Sequence, residues 1–370
     1  MKRDYGIDLL RILAALYMVI LHVLGQGGVL ASGLDRSHYF LAWFMETFAF
    51  CAVDCFGLIS GYVGYRKDNR ELKVSRYVSL WLQVVYYGLL ITLIYSFLLP
   101  GQVGLTKYIK AALPVTLNLH WYFTAYTGLF FVMPLINIVV QKTDNQPLKK
   151  YAFLCMLLFS TFASISSIFQ DDVFSLRGGY SFVWLVILYF IGAVIKKTGL
   201  FAETKNSIIL VLVIIITLLS VMWNTYVSCV PFVGKYIQAI NLISYISPTI
   251  LSIAIAHLSF FTKAKLPDWV IKLVRFAAPG TFAIYLLNTQ YYVWNYYLFK
   301  RFESLSTAPL YMIPVTVIAF SVIVVFVSVT IDRFRQILFS KIKVYLFARK
   351  VETLFNVAIC AITNDKKNGD

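Results

Sequence analysis

Charged side chains are what this chain has least of: Asp, Glu, Lys and Arg make up 14% of its 370 residues, and only 17 residues are carboxylates. A soluble domain of this length covers its surface with far more charge, so a soluble enzyme is excluded. Five cysteines (Cys51, Cys55, Cys155, Cys229, Cys360) share neither metal-ligand spacing nor a paired framework. Cys51 and Cys55, four apart on one helix, read as small packing residues. There is no glycine-rich phosphate loop, no GxSxG and no metal-ligand cluster, so no metal is expected. No transporter-type internal repeat is visible, and the outer loops are short. Any chemistry must come from a few scattered polar residues.

What the chain has in abundance is apolar surface: 60% of its residues are hydrophobic and 17% aromatic, with a mean hydropathy of +0.76. This composition predicts an all-α polytopic membrane protein. Hydrophobic segments long enough to span lie at about 7–24, 39–64, 77–99, 121–140, 151–169, 180–197, 207–223, 237–262, 274–298 and 309–331, which predicts about ten transmembrane helices. The first is no cleaved signal peptide, because Arg11 interrupts its apolar core and no small-residue site follows His22. Part of the loop 101–120 reads as an interfacial helix.

The net charge of +16 could point to nucleic acid, but its distribution assigns it to topology. With the N-terminus in the cytoplasm, one side collects Lys2, Arg3, the run from Arg66 to Arg76, Lys142, Lys149, Lys150, Lys196, Lys197, Lys205, the run from Lys263 to Arg275 and every basic residue after 331. The other side holds only Arg36, Lys107, Lys110, Arg177, Lys235, Lys300 and Arg301. This asymmetry places both termini inside, with an even number of spans. Two regions are expected: a transmembrane domain over 1–335 and a basic cytoplasmic tail over 336–370. The tail is amphipathic, faces anionic lipid and ends in a disordered stretch.

Few ionisable residues fall at membrane depth, where each needs a partner or water. Arg11 lies about 6 Å and His22 about 22 Å from the cytoplasmic end of the first span, Glu46 about 27 Å and Asp54 about 15 Å from that of the second. A histidine and a carboxylate at similar depth make a general base oriented by an acid, and Glu46 and Asp54 compete for that role. The plainer alternative is a His–carboxylate bond that only locks two helices. Arg11 suits a phosphate-bearing ligand from the cytosol, or else an ion pair with Asp8 three residues earlier. His120 and Trp121 sit at the outer mouth of the fourth span, in an interfacial aromatic belt. Asn288 lies near mid-depth in the ninth, facing another helix or a substrate. His257 reads as a core histidine, and the Asp171–Asp172 pair as a solvated turn.

Five segments, in order, resemble the acyltransferase-3 family of integral membrane acyltransferases. IDLLRILAALYMVILH has the family's spacing from a basic residue to a histidine, at Arg11 and His22. AVDCFGLISGYVGYRK resembles its second-span segment, with Asp54, Phe56, Ser60 and Gly61 at matching positions. SRYVSLW matches its basic stretch at Arg76, LHWYFTAYTGLFFVMPLIN its Leu-Trp-Phe segment, and PGTFAIYLLNTQYY a late segment ending in histidine. The chain departs from the pattern at Leu80, where a second arginine is common, and at Asn288, which replaces the late histidine.

The resemblance implies a single-domain O-acetyltransferase of a bacterial cytoplasmic membrane. It would take acetyl-CoA from the cytoplasm as co-substrate, hold no permanent cofactor, and acylate a sugar hydroxyl of a surface or lipid-linked polysaccharide. His22 would be the catalytic residue, and Arg11 and Arg76 would contact the CoA phosphates. Glu46 and Asp54 join His22 as candidate catalytic residues; His120, Trp121 and Asn288 are candidate substrate contacts. The competing readings are a flippase of lipid-linked saccharide, whose polar residues would line a pathway, and a polysaccharide polymerase, which calls for a large outer loop.

Overall fold

The computed structural model describes residues 3–66, 72–169, 171–229 and 242–364. Among these residues every regular element is helical. The helices are α1 (Tyr5–Leu24), α2 (Arg36–Ala49), α3 (Ala52–Gly64), α4 (Val74–Leu98), α5 (Leu105–Ala112), α6 (Trp121–Lys142), α7 (Asn145–Met156), α8 (Ala163–Ser166), α9 (Phe182–Thr198), α10 (Asn206–Cys229), α11 (Pro248–Phe261), α12 (Asp268–Ala277), α13 (Thr281–Asn288), α14 (Met312–Lys341) and α15 (Val344–Asn364). Eight stretches among them are long and apolar enough to cross a membrane. The shorter α9 and α11 complete the set, so each of the ten expected hydrophobic segments contains a helix. Part of the eighth segment, like the last residues of the tail, lies outside the described residues.

Local chemistry sets the helix ends. Asp4 accepts the Ile7 amide to start α1, Asp35 accepts the Ser37 and His38 amides to start α2, and Ser181 accepts the Trp184 amide to start α9. Gly199 closes α9 in the left-handed region, where glycine has no Cβ to clash. Three expected spans are interrupted. The second breaks at Phe50 and Cys51, where the Phe50 amide bonds back only three residues, to Thr47. The fifth carries a π-helical turn at Leu157–Phe162. The ninth is divided by a 3₁₀ turn, Ala278–Gly280, around Pro279, and a π-helical turn, Val293–Leu298, follows α13. The loop expected to hold an interfacial helix contains the short helix α5.

At the centre of the bundle, α1 packs against α2, α3, α11, α13 and α14. Beside it, α3 and α9 pack more closely than ordinary side chains permit. A Cβ on Gly61 would lie 1.9 Å from the Tyr189 carbonyl oxygen, and one on Gly192 2.1 Å from that of Leu58. Small residues at such crossings let backbones touch where no hydrophobic effect drives helices together. The tenth span runs well past its expected end as α14, with no break at residue 335. Its Asp332 is fully buried and accepts from Gln83, Tyr87, Arg335 and Gln336, tying α14 to α4.

Candidate functional site

The polar residues fall into two groups at opposite ends of the bundle. At one end a cavity of about 340 Å³ opens between the start of α4 and the ends of α3 and α6. Arg11, Arg66, Lys73 and Arg76 line it, and no carboxylate is among its described lining residues. Tyr126, Tyr77, Asn137 and Tyr189 supply further polar groups, and Pro134 removes a helical hydrogen bond from its wall. Asn137 is fixed between the Gly64 carbonyl and the Tyr189 hydroxyl. A neighbouring hollow of about 330 Å³ shares Arg11 and Arg66 and adds Arg3, Lys196 and the carboxylates Asp4 and Asp8. Arg11 donates to Asp8 Oδ1 at 2.8 Å, while Arg3 Nε takes Oδ2. The expected ion pair therefore exists, and the same guanidinium also lines the cavity. Four cations with so little counter-charge attract a multiply charged anion such as a phosphate group.

At the other end His22, on α1, meets the C-terminus of α13. Its Nδ1 is hydrogen-bonded to Asn288 Oδ1, and Trp294 packs edge-on against its ring at 4.7 Å. An amide oxygen only accepts, so in this arrangement Nδ1 carries the proton and Nε2 presents a lone pair. Nε2 has no hydrogen-bond partner among the described residues. The next residue, Thr289, holds the second histidine: its Oγ1 lies 3.0 Å from His120 Nδ1. His120 packs on Tyr285, whose hydroxyl accepts the Tyr122 amide at 3.2 Å. Trp121 stands beside Tyr122 and Tyr180. Tyr122, Tyr285 and His120 form a column of contacting rings that ends beside Thr289, the neighbour of Asn288, and Tyr126, one turn from Tyr122 on α6, lines the cationic cavity.

The structure brings together His22, Asn288, His120 and Trp121 at one end and Arg11 and Arg76 at the other. It does not bring Glu46 or Asp54 to His22. Asp54 Oδ1 accepts from Trp184 Nε1 at 2.9 Å, between α3 and α9. Glu46 is 7% exposed, and its Oε2 has no hydrogen-bond partner. Equal depth along a helix fixes height and leaves the direction of each side chain open, and neither carboxylate hydrogen-bonds the imidazole. The partner is Asn288.

In the sequence Arg66 and Lys73 read only as cytoplasmic charge; their crowding with Arg76 in a short inter-span loop is the signal that marks them. Trp294 and the tyrosine column gave none, since a ring in a span reads as packing. His257 is a core histidine as expected, bonded to the Ile253 carbonyl and beside the Tyr17 hydroxyl. Asp172 caps the amides of Leu176 and Arg177, the solvated-turn reading.

A family model described as an acyltransferase domain matches residues 4–333. No match is found among curated proteins or among solved structures.

Proposed function

Because the chain belongs to the acyltransferase-3 family of membrane acyltransferases, we propose that it transfers an acetyl group from cytoplasmic acetyl-CoA to a sugar hydroxyl on the other side of the membrane. The acceptor is a surface or lipid-linked polysaccharide, and the membrane is a bacterial cytoplasmic membrane. The observation that carries this reading is the cavity lined by Arg11, Arg66, Lys73 and Arg76 without a described carboxylate. It suits the phosphates of CoA, and its basic loop is on the side that the charge asymmetry assigns to the cytoplasm.

From Arg11 to His22 the helix rises about 16 Å. An extended pantetheine arm covers that separation along the tyrosine column and brings the thioester to the imidazole. His22 Nε2 then takes the proton of the acceptor hydroxyl as its oxygen attacks the thioester carbonyl. The C–S bond breaks, the ester C–O bond forms, and the imidazolium returns the proton to the departing thiolate. Asn288 holds the tautomer this requires, His120 and Trp121 border the acceptor side, and Arg11 and Arg76 anchor the donor.

The test is acetyl transfer from labelled acetyl-CoA to a glycan acceptor by the protein in nanodiscs. His22→Ala is expected to abolish transfer at unchanged expression and CoA affinity. Transfer retained in that variant would overturn the assignment.

A further inference from the structure

The family match ends at residue 333, so α15 lies wholly beyond it. The helix nevertheless packs along α4. Ala348 is completely buried, and Glu352 follows one turn later on the same face. Glu352 Oε1 accepts the backbone amide of Ser75 at 3.2 Å. Ser75 is in the first turn of α4, where amides have no partner within the helix. Lys73, at the local cap position, makes no side-chain cap bond. The capping group therefore comes from a helix nearly three hundred residues later in the chain, and its side-chain oxygen satisfies an amide that the helix itself leaves unpaired.

That first turn also builds the cationic cavity. Lys73 and Arg76 stand on either side of Ser75, and both line it. On the opposite flank Tyr77 bonds Thr127 at 3.1 Å and stacks on Phe130. The turn is thus held from two sides, by α6 through Tyr77 and by α15 through Glu352.

We propose that Glu352 is a positioning residue for the phosphate-bearing donor: by capping α4 from the C-terminal helix it keeps Lys73 and Arg76 at the cavity. The C-terminal helix is then a working part of the donor site. This rests on the reading of the cavity as the CoA site.

The test measures CoA binding to the full-length protein in nanodiscs by calorimetry, together with donor KM and kcat. Glu352→Ala is expected to weaken CoA binding and raise donor KM about fivefold, the effect of one lost helix cap, at unchanged kcat. Glu352→Gln keeps the acceptor oxygen and should bind CoA as the wild type does. Glu352→Asp keeps the charge, withdraws the oxygen by one methylene, and should behave like the alanine variant. Wild-type binding by Glu352→Ala overturns the proposal, and so does an aspartate variant that binds while the glutamine variant does not. If the alanine variant does not fold, the Gln and Asp pair decides in the same way. A wild-type protein that binds no CoA overturns the donor reading and this inference with it.

Discussion

At His22 the hydrogen bond to Asn288 occupies Nδ1 and with it sets the tautomer, so the imidazole depends on a neutral amide where the sequence pointed to a carboxylate. Asn288→Leu removes the acceptor and leaves an apolar group of similar size. It should lower kcat for acetyl transfer about a hundredfold, the scale of a misplaced general base, with donor KM unchanged because residue 288 is remote from the cationic cavity. An unchanged kcat would show that His22 needs no orienting group. Asp332 shows the opposite use of a polar residue. Its carboxylate accepts from Arg335 Nε and Nη2 at 2.8 Å, together with Tyr87 and Gln83, and serves as a fully satisfied internal tie. Arg335, counted from the sequence as one of the cytoplasmic basic residues after 331, is committed to this tie. Arg11 and His22 were legible as oddities in one apolar run. The placement of Glu46 and the pairing of Asp54 with Trp184 were not, because depth follows from counting residues and facing direction does not.

Among the helices, α3 and α9 form the tightest pair. Gly57 and Gly61 face Leu188 and Tyr189, and Gly192 faces Leu58. Gly61→Val places a branched side chain where even a Cβ would be 1.9 Å from a carbonyl oxygen. It should lower stability by about 1–3 kcal/mol or more, read as a lower thermal unfolding midpoint in detergent. Gly33→Ala is the control, since nothing lies within 4 Å of its added Cβ, and it should unfold like the wild type. Equal midpoints for the two variants would mean that the α3–α9 contact is not close. This crossing is not legible in the sequence, because a glycine four residues from another marks a close approach only once its partner helix is known. The breaks at Phe50–Cys51 and Leu157–Phe162 were equally hidden, since neither contains proline.

At the scale of the whole chain, antiparallel threading carries Arg11, Arg66, Lys73 and Arg76 to one end and His22, His120 and Trp121 to the other. The charge asymmetry orients that axis in the membrane. In a background without other cysteines, Arg36→Cys should react with a membrane-impermeant maleimide added to intact cells, and Lys205→Cys should react only after permeabilisation. The reverse pattern would invert the orientation and set the cationic cavity on the side without CoA.

The sequence alone determined the class of the molecule, the approximate position of its hydrophobic segments and the expected cytoplasmic side, because the bilayer acts on composition, segment length and loop charge, all of which are local quantities. The family, too, was readable from five short motifs. The tertiary structure decided which polar groups meet: Asn288 with His22, Thr289 with His120, Asp54 with Trp184, and Glu352 with the first turn of α4. Those pairings depend on the rotation and crossing of helices far apart in the chain, and they are fixed by packing across the bundle, which no single segment contains.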